Sequence, residues 1–170
     1  MSDTKRLRYD TLHMDCAKAA SGMSHATRGK VGCVITKDDR SISNGWNGRL
    51  PGEDNACETI HDGLAVTRDD VIHAEENAIL YAAREGISLK GGTLYTTVAP
   101  CIKCARMIVG CGISRVVYAK IYRSNEGGCC CYRSGATITW VDMHEPDYPM
   151  QEHTCHITYL YKTGYLYQYL

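Results

Sequence analysis

Apolar positions recur at helical spacing over residues 5–23, where Leu7, Leu12, Cys16, Ala19, Ala20 and Met23 predict an amphipathic helix ending near Ser21-Gly22. A small, polar stretch follows at 24–29. The β-branched run Val31-Gly32-Cys33-Val34-Ile35, the turn residues Lys37-Asp38-Asp39-Arg40 and then Ser41-Ile42-Ser43-Asn44-Gly45-Trp46 predict a hairpin. Residues 47–52 have the composition of a loop, and the polar stretch to Asp70 has too little period to assign. The helical period returns at 73–85 with Ala74, Ala78, Ile79, Ala82 and Ala83, a helix that Gly86 can close. Gly91-Gly92 opens a strand at 93–98. Pro100 fits the first turn of the next helix, which passes through Met107, Ile108 and Val109 to Gly110-Cys111-Gly112. A strand at 115–119, a short helix within 127–135 and a strand at 137–141 complete the pattern.

This alternation predicts an α/β fold, a three-layer α/β/α sandwich with a mixed five-stranded sheet, as one domain over residues 1–144. Residues 145–170 form an extension of a different character. Tyr159, Tyr161, Tyr165, Tyr167 and Tyr169 alternate there, which fits either an exposed or partner-covered strand or a poorly packed tail.

Composition narrows the function classes. Nineteen Lys and Arg balance nineteen Asp and Glu, so no global basic field draws the chain to nucleic acid. No segment approaches a membrane span, and the charged first ten residues lack the apolar core of a signal peptide. A cytoplasmic protein is expected, in which ten cysteines serve as thiols or metal ligands rather than disulfides. Phe is absent while Tyr numbers 12, so tyrosines with Trp46 and Trp140 must supply the aromatic packing, each buried hydroxyl needing a partner.

The candidate chemistry lies in two stretches, Val71-Ile72-His73-Ala74-Glu75-Glu76-Asn77-Ala78 and Thr97-Val98-Ala99-Pro100-Cys101-Ile102-Lys103-Cys104. Cys101 and Cys104, three apart at a helix start, bring two sulfurs to one side near unsatisfied N–H groups, which favours thiolate. In a βαβ arrangement the start of the preceding helix meets them, so His73 supplies a third ligand. Three protein ligands leave one tetrahedral position open, as in a catalytic rather than a structural zinc. A lone C-x-x-C would equally suit a redox pair, half of a structural cluster or two buried cysteines. No second C-x-x-C completes a cluster, and Cys129-Cys130-Cys131, consecutive on a helix, diverge. Glu75 is too close to His73 along the chain to share its zinc, and is placed to carry a proton.

With that spacing the pair of stretches resembles the H-x-E … P-C-x-x-C signature of zinc nucleobase deaminases. In such a reaction Glu75 takes a proton from the attacking water and passes it to the ring nitrogen beside the amine-bearing carbon, and in a later transfer protonates the departing ammonia. More closely, His73 to Ile79 and Pro100 to Ala105 resemble the deoxycytidylate (dCMP) deaminase family. Lys30-Val31-Gly32-Cys33-Val34-Ile35 looks like that family's first strand, and residues 43–52 like its G-Y-N-G-x-P loop with Trp46 in place of the tyrosine. The likeness runs over about residues 30–140.

The resemblance implies zinc-dependent conversion of dCMP to dUMP in pyrimidine deoxynucleotide synthesis, activation by dCTP, inhibition by dTTP, and a homo-oligomer, a hexamer in the family. It implies that Asn47 bonds the sugar, that the Ala74 N–H meets the pyrimidine carbonyl, that the Ala99 C=O takes the amine, and that Tyr122 borders the base. Lys30 and Arg28 are the nearest candidates for the 5′-phosphate. Some members hold a second, structural zinc between the Asn-Gly loop and the catalytic helix; Cys57 falls near one of its ligand positions and His61 is close, with the remaining ligands not evident. Cys33 replaces a common alanine and Arg123 a common acid. The alternatives are a deaminase of another free nucleotide or nucleoside or of a base in nucleic acid, and a non-catalytic zinc module. Intact Glu75 argues against the last, and the absence of an aromatic, basic tract argues against a polynucleotide channel.

Overall fold

The computed structural model describes residues 3–122, 126–140 and 151–152. The chain runs α1 (Asp3–Ser21), β1 (Gly32–Lys37), β2 (Arg40–Trp46), β3 (Glu58–His61), β4 (Leu64–Thr67), α2 (Ala74–Arg84), β5 (Thr93–Thr96), α3 (Ile102–Gly110), β6 (Arg115–Tyr118), α4 (Glu126–Arg133), β7 (Thr137–Trp140) and β8 (Gln151–Glu152). The main sheet has the order β2-β1-β5-β6-β7-β8, and β3 pairs with β4 apart from it. β1 is antiparallel to β2 and β5, whereas β5, β6 and β7 are mutually parallel, so the sheet is mixed. The five expected strands are all present, with the two-residue β8 added antiparallel at the β7 edge.

Strand alternation sends neighbouring residues into two cores. Val34, Tyr95 and Val117 face α1 with Met14 and Ala17. Cys33, Ile35, Leu94, Val116 and Ile138 face the other way and pack with Ala78, Ala82, Ala105, Ile108 and Cys131 of α2, α3 and α4. One helix on one side and three on the other make the three layers. Backbones approach closely where β2 meets α2, since a Cβ on Gly45 would stand 2.4 Å from the Ala74 carbonyl oxygen. That contact helps to fix the start of α2.

The helix expected at 5–23 is present, but its buried face is different. Leu12 and Met23 are 52% and 59% exposed and Cys16 is exposed, while Asp10, His13, Met14 and Ala17 turn inward. Those four keep helical spacing, yet two are polar, so an apolar period could not find them. Asp10 is buried because the sheet supplies partners. Arg115 Nη1 and Nη2 donate to its two oxygens at 2.6 and 2.9 Å, and the Tyr95 hydroxyl donates to Oδ1 at 2.5 Å. Arg115 Nη2 also donates to Thr139 Oγ1 at 3.1 Å. Burial, then the bond to Asp10, raises the Tyr95 pKa far above the ordinary phenol range. His13 lies over Tyr95 with ring centroids 5.2 Å apart.

The stretch without period contains a second hairpin, β3–β4, closed by Asp62 and Gly63 at φ 50° and 76°. Positive φ at both turn residues is the type I′ pattern for which Asp-Gly is a sequence signal. The flanking runs are short and exposed, so burial adds no period. The tyrosine-rich extension at 145–170, apart from the pairing of Gln151 and Glu152 with β7, lies outside the described residues, as does Arg123.

Candidate metal centre and active site

The two signature stretches place their ligands at equivalent points. His73 is the N-cap of α2 and Cys101 the N-cap of α3, both with extended backbone and neither making a side-chain capping bond. N-caps are ordinarily Ser, Thr, Asp or Asn, whose oxygens accept from the first turn. Here the side chains turn to one another instead. Pro100, expected within the first turn, precedes the N-cap, because Cys101 keeps an extended backbone and the helix begins at Ile102. The run into His73 is fixed by reciprocal backbone bonds between Gly48 and Ile72, at 3.2 and 2.9 Å. α4 lies against the cysteine turn so closely that a Cβ on Gly127 would fall 1.9 Å from the Pro100 carbonyl oxygen.

His73 Nδ1 lies 3.5 Å from Cys101 Sγ and 3.5 Å from Cys104 Sγ. A tetrahedral zinc with its usual bonds to sulfur and nitrogen requires an N···S edge of about 3.5 Å. The residues therefore fit the ion, in chemistry and in spacing. Among the described residues no other group of three His, Cys, Asp or Glu side chains comes together in this way. Cys57 is buried, while His61 is 79% exposed and pairs with Asp62, so neither joins a second cluster.

Glu75, on the first turn of α2, is 3% exposed. Burial pushes its pKa above the usual carboxylate range, against the weaker pulls of its own backbone amide, His73, Cys104 and Thr96. Burial, then the neighbouring Glu75 and Cys101, push the Cys104 thiol far up in the metal-free protein, against the thiolate expected at a helix start. A bound dication would offset this. We accordingly expect metal uptake to release protons, and apparent zinc affinity to rise with pH, falling about tenfold for each unit by which pH is lowered, per thiol proton released. Competition with a chromophoric chelator at pH 6, 7 and 8 measures this, and an affinity that does not change with pH would show the thiols already ionised.

A cavity of about 350 Å³ opens onto the centre and is lined by His73, Ala74, Glu75, Ala99, Cys101, Asn47, Tyr122, Arg28 and Thr67, among others. Five of the expected contacts thus share one space with the candidate ligands His73 and Cys101, while Cys104 is buried outside the lining. Lys30 is exposed and is not part of this lining, whereas Arg28 is. The Asn47 side chain already ties down the loop before β1, accepting from Val31 N at 2.8 Å and donating to Gly29 O at 2.9 Å. One N–H and one lone pair remain to it. The Ala74 N–H, in the first turn of α2, is among the donors that helix geometry leaves without an intrahelical partner. Thr67, at the end of β4, was not foreseen. Its only trace in the sequence is the Asp62-Gly63 turn that defines its hairpin.

A family model described as the cytidine and deoxycytidylate deaminase zinc-binding region matches residues 7–120. The deoxycytidylate deaminase of Saccharomyces cerevisiae is 36% identical over 132 residues, which cover 74% of this chain and 42% of the yeast protein. This chain thus spans less than half of that relative. The deoxycytidylate deaminase of Mycobacterium phage D29 is 39% identical over 124 residues, 66% of this chain and 94% of the phage protein. The crystal structure of dCMP deaminase from the cyanophage S-TIM5, in complex with dCMP and dUMP, aligns with a TM-score of 0.73 at 31% identity. That alignment covers 82% of this chain and 98% of the cyanophage chain.

Proposed function

The chain belongs to the cytidine and deoxycytidylate deaminase zinc-binding family, and on that premise we propose that it hydrolyses dCMP to dUMP and ammonia. The observation that carries this reading is the meeting of one imidazole nitrogen and two sulfurs in one cluster, with His73, Cys101 and the buried carboxylate of Glu75 lining the same cavity. Zinc held by His73, Cys101 and Cys104 would supply Lewis acidity that makes water a nucleophile at neutral pH. Glu75 takes up one proton of the attacking water and carries it to the ring nitrogen beside the amine-bearing carbon, then takes the second from the hydroxyl now on that carbon and gives it to the departing amine as the C–N bond breaks. Burial suits it to this, since a carboxylate with a raised pKa is the stronger base.

The remaining roles are proposed from the family resemblance and supported by the cavity lining. The Ala74 N–H and the Ala99 C=O complement the carbonyl and the amine of cytosine. Asn47 offers its spare donor to the sugar, Tyr122 borders the base, and Arg28 rather than Lys30 meets the 5′-phosphate. Family resemblance extends the proposal to activation by dCTP, inhibition by dTTP and a homo-oligomer of hexameric size. Among the described residues no helix is long and apolar enough to cross a membrane, and their nine cysteines are all free thiols, which suits the cytoplasm.

The test is an absorbance assay of zinc-loaded protein against dCMP, dCTP, CMP, deoxycytidine and dAMP. The highest kcat/KM is expected for dCMP, about tenfold or more above deoxycytidine if one charge-assisted phosphate contact is gained. A preference for any other compound overturns the substrate assignment. Bound zinc without turnover of any of them points to a metal-stapled binding module. Adding dCTP or dTTP to the same assay, with light scattering for assembly size, tests the regulatory and oligomeric parts.

A further inference from the structure

The hairpin β3–β4 supplies one lining residue and no part of the metal centre, and its apolar side chains are largely in solvent, with Ile60 74% and Leu64 71% exposed. Its attachment to the rest of the chain is polar. Glu58 accepts from the backbone N–H of Thr27 at 3.1 and 3.2 Å and from that of Arg28 at 3.2 Å. Thr67, directly across the hairpin from Glu58, accepts from Arg28 Nη1 at 3.2 Å. Cross-strand partners project from the same face of a hairpin. One face of β3–β4 therefore holds both the backbone and the head group of Arg28.

Arg28 keeps spare donors, although the Glu58 carboxylate attracts its charge from beyond ion-pair distance. A guanidinium has five N–H donors, and among the described residues no carboxylate comes within ion-pair distance of this one. Its neighbours differ. Arg49 is met by Glu53, Asp54 and Asp70, and Arg68 by Asp70. Two consecutive backbone amides beside a guanidinium would themselves attract an anion. Glu58 occupies those amides, so an incoming phosphate is left the guanidinium alone, held in place at the cavity wall.

We infer that Glu58 is a positioning residue for the substrate's phosphate, acting through the Thr27-Arg28 backbone to aim Arg28 into the cavity. The inference rests on the dCMP reading above. Glu58 touches neither base nor metal ligands, so it sets the discrimination between nucleotide and nucleoside without altering the chemical step. Thr67 acts in the same sense on the head group.

The experiment is steady-state kinetics of the full-length, zinc-loaded protein and of Glu58→Ala, Glu58→Gln, Thr67→Val and Arg28→Ala, each with dCMP and with deoxycytidine. For Glu58→Ala the KM for dCMP should rise about tenfold, the scale of one lost charge-assisted bond, with kcat within about twofold. Its kcat/KM for deoxycytidine should stay within about twofold of the parent, which also reports that the variant is folded. Glu58→Gln, which keeps one acceptor, should fall between, and Thr67→Val should move in the same direction. Equal losses on both substrates would make Glu58 merely structural and overturn the inference. A lower KM for dCMP would overturn it too, by showing that Glu58 competes with phosphate. If Arg28→Ala abolishes the preference for dCMP and Glu58→Ala does not, this inference alone fails. If the parent shows no such preference, the substrate reading fails and takes the inference with it.

Discussion

Replacing Glu75 by Gln should leave the metal content of the protein unchanged and lower kcat for dCMP by roughly 10²–10⁴-fold, the range that a positioned acid–base group contributes. Gln keeps the size of Glu at a site only 3% exposed, so packing around the first turn of α2 is preserved. It has no carboxylate to take up the proton of the attacking water. Zinc binding should not suffer, because Glu75 is not among the three clustered donors. Its negative charge is also one of the causes that push the Cys104 thiol up, and removing it eases thiolate formation. Metal analysis beside a steady-state assay reads both halves. A variant with full zinc and kcat within about threefold of the parent would remove Glu75 from proton transfer, since a positioned acid–base group is worth far more.

The second large effect is on stability and lies on the opposite face of the sheet. Asp10→Ala should destabilise the fold by about 3–5 kcal/mol, because it removes one partner of a buried ion pair joined by two hydrogen bonds. Asp10 and Arg115 are 1% and 6% exposed, and the carboxylate takes both terminal nitrogens of the guanidinium and the Tyr95 hydroxyl. A loss of this size consumes much of a typical domain's stability of about 5–15 kcal/mol. Urea unfolding monitored by circular dichroism measures it. The double variant Asp10→Leu/Arg115→Met should recover most of the loss, since an apolar pair of similar volume removes both charges together. If Asp10→Ala costs under about 1 kcal/mol, the pair behaves as a solvated surface bridge.

These two sites were unequally legible in the sequence. The candidate metal centre could be read because its donors sit at fixed short spacings beside helix starts: His73 before the apolar period of α2, Cys101 and Cys104 directly after Pro100. Local geometry then does most of the placing. The Asp10 network could not be read, because its members come from α1, β5, β6 and β7, and Asp10 and Arg115 are 105 positions apart. A carboxylate in an amphipathic helix is assigned to solvent unless its partner is known. The apolar period of α1 accordingly pointed outward, to Leu12 and Met23. The hairpin β3–β4 escaped for a related reason. Its strands are four residues each and exposed, so neither burial nor period marks them, and only Asp62-Gly63 hints at the turn.

By itself the sequence determined the order of the elements of the main five-stranded mixed sheet and its four helices, the candidate donor set for zinc and the carboxylate beside it, because each depends on residue type and short-range spacing. Only the tertiary structure decided which face of α1 is buried, that the buried Cys104 thiol resists ionisation without a metal, and that Arg28 rather than Lys30 lines the cavity. Those outcomes turn on burial and on partners tens of residues away, such as Glu58 for Thr27 at a separation of 31. Neither is defined until the chain has packed, since desolvation and long-range hydrogen bonds are properties of the folded arrangement and not of any local stretch.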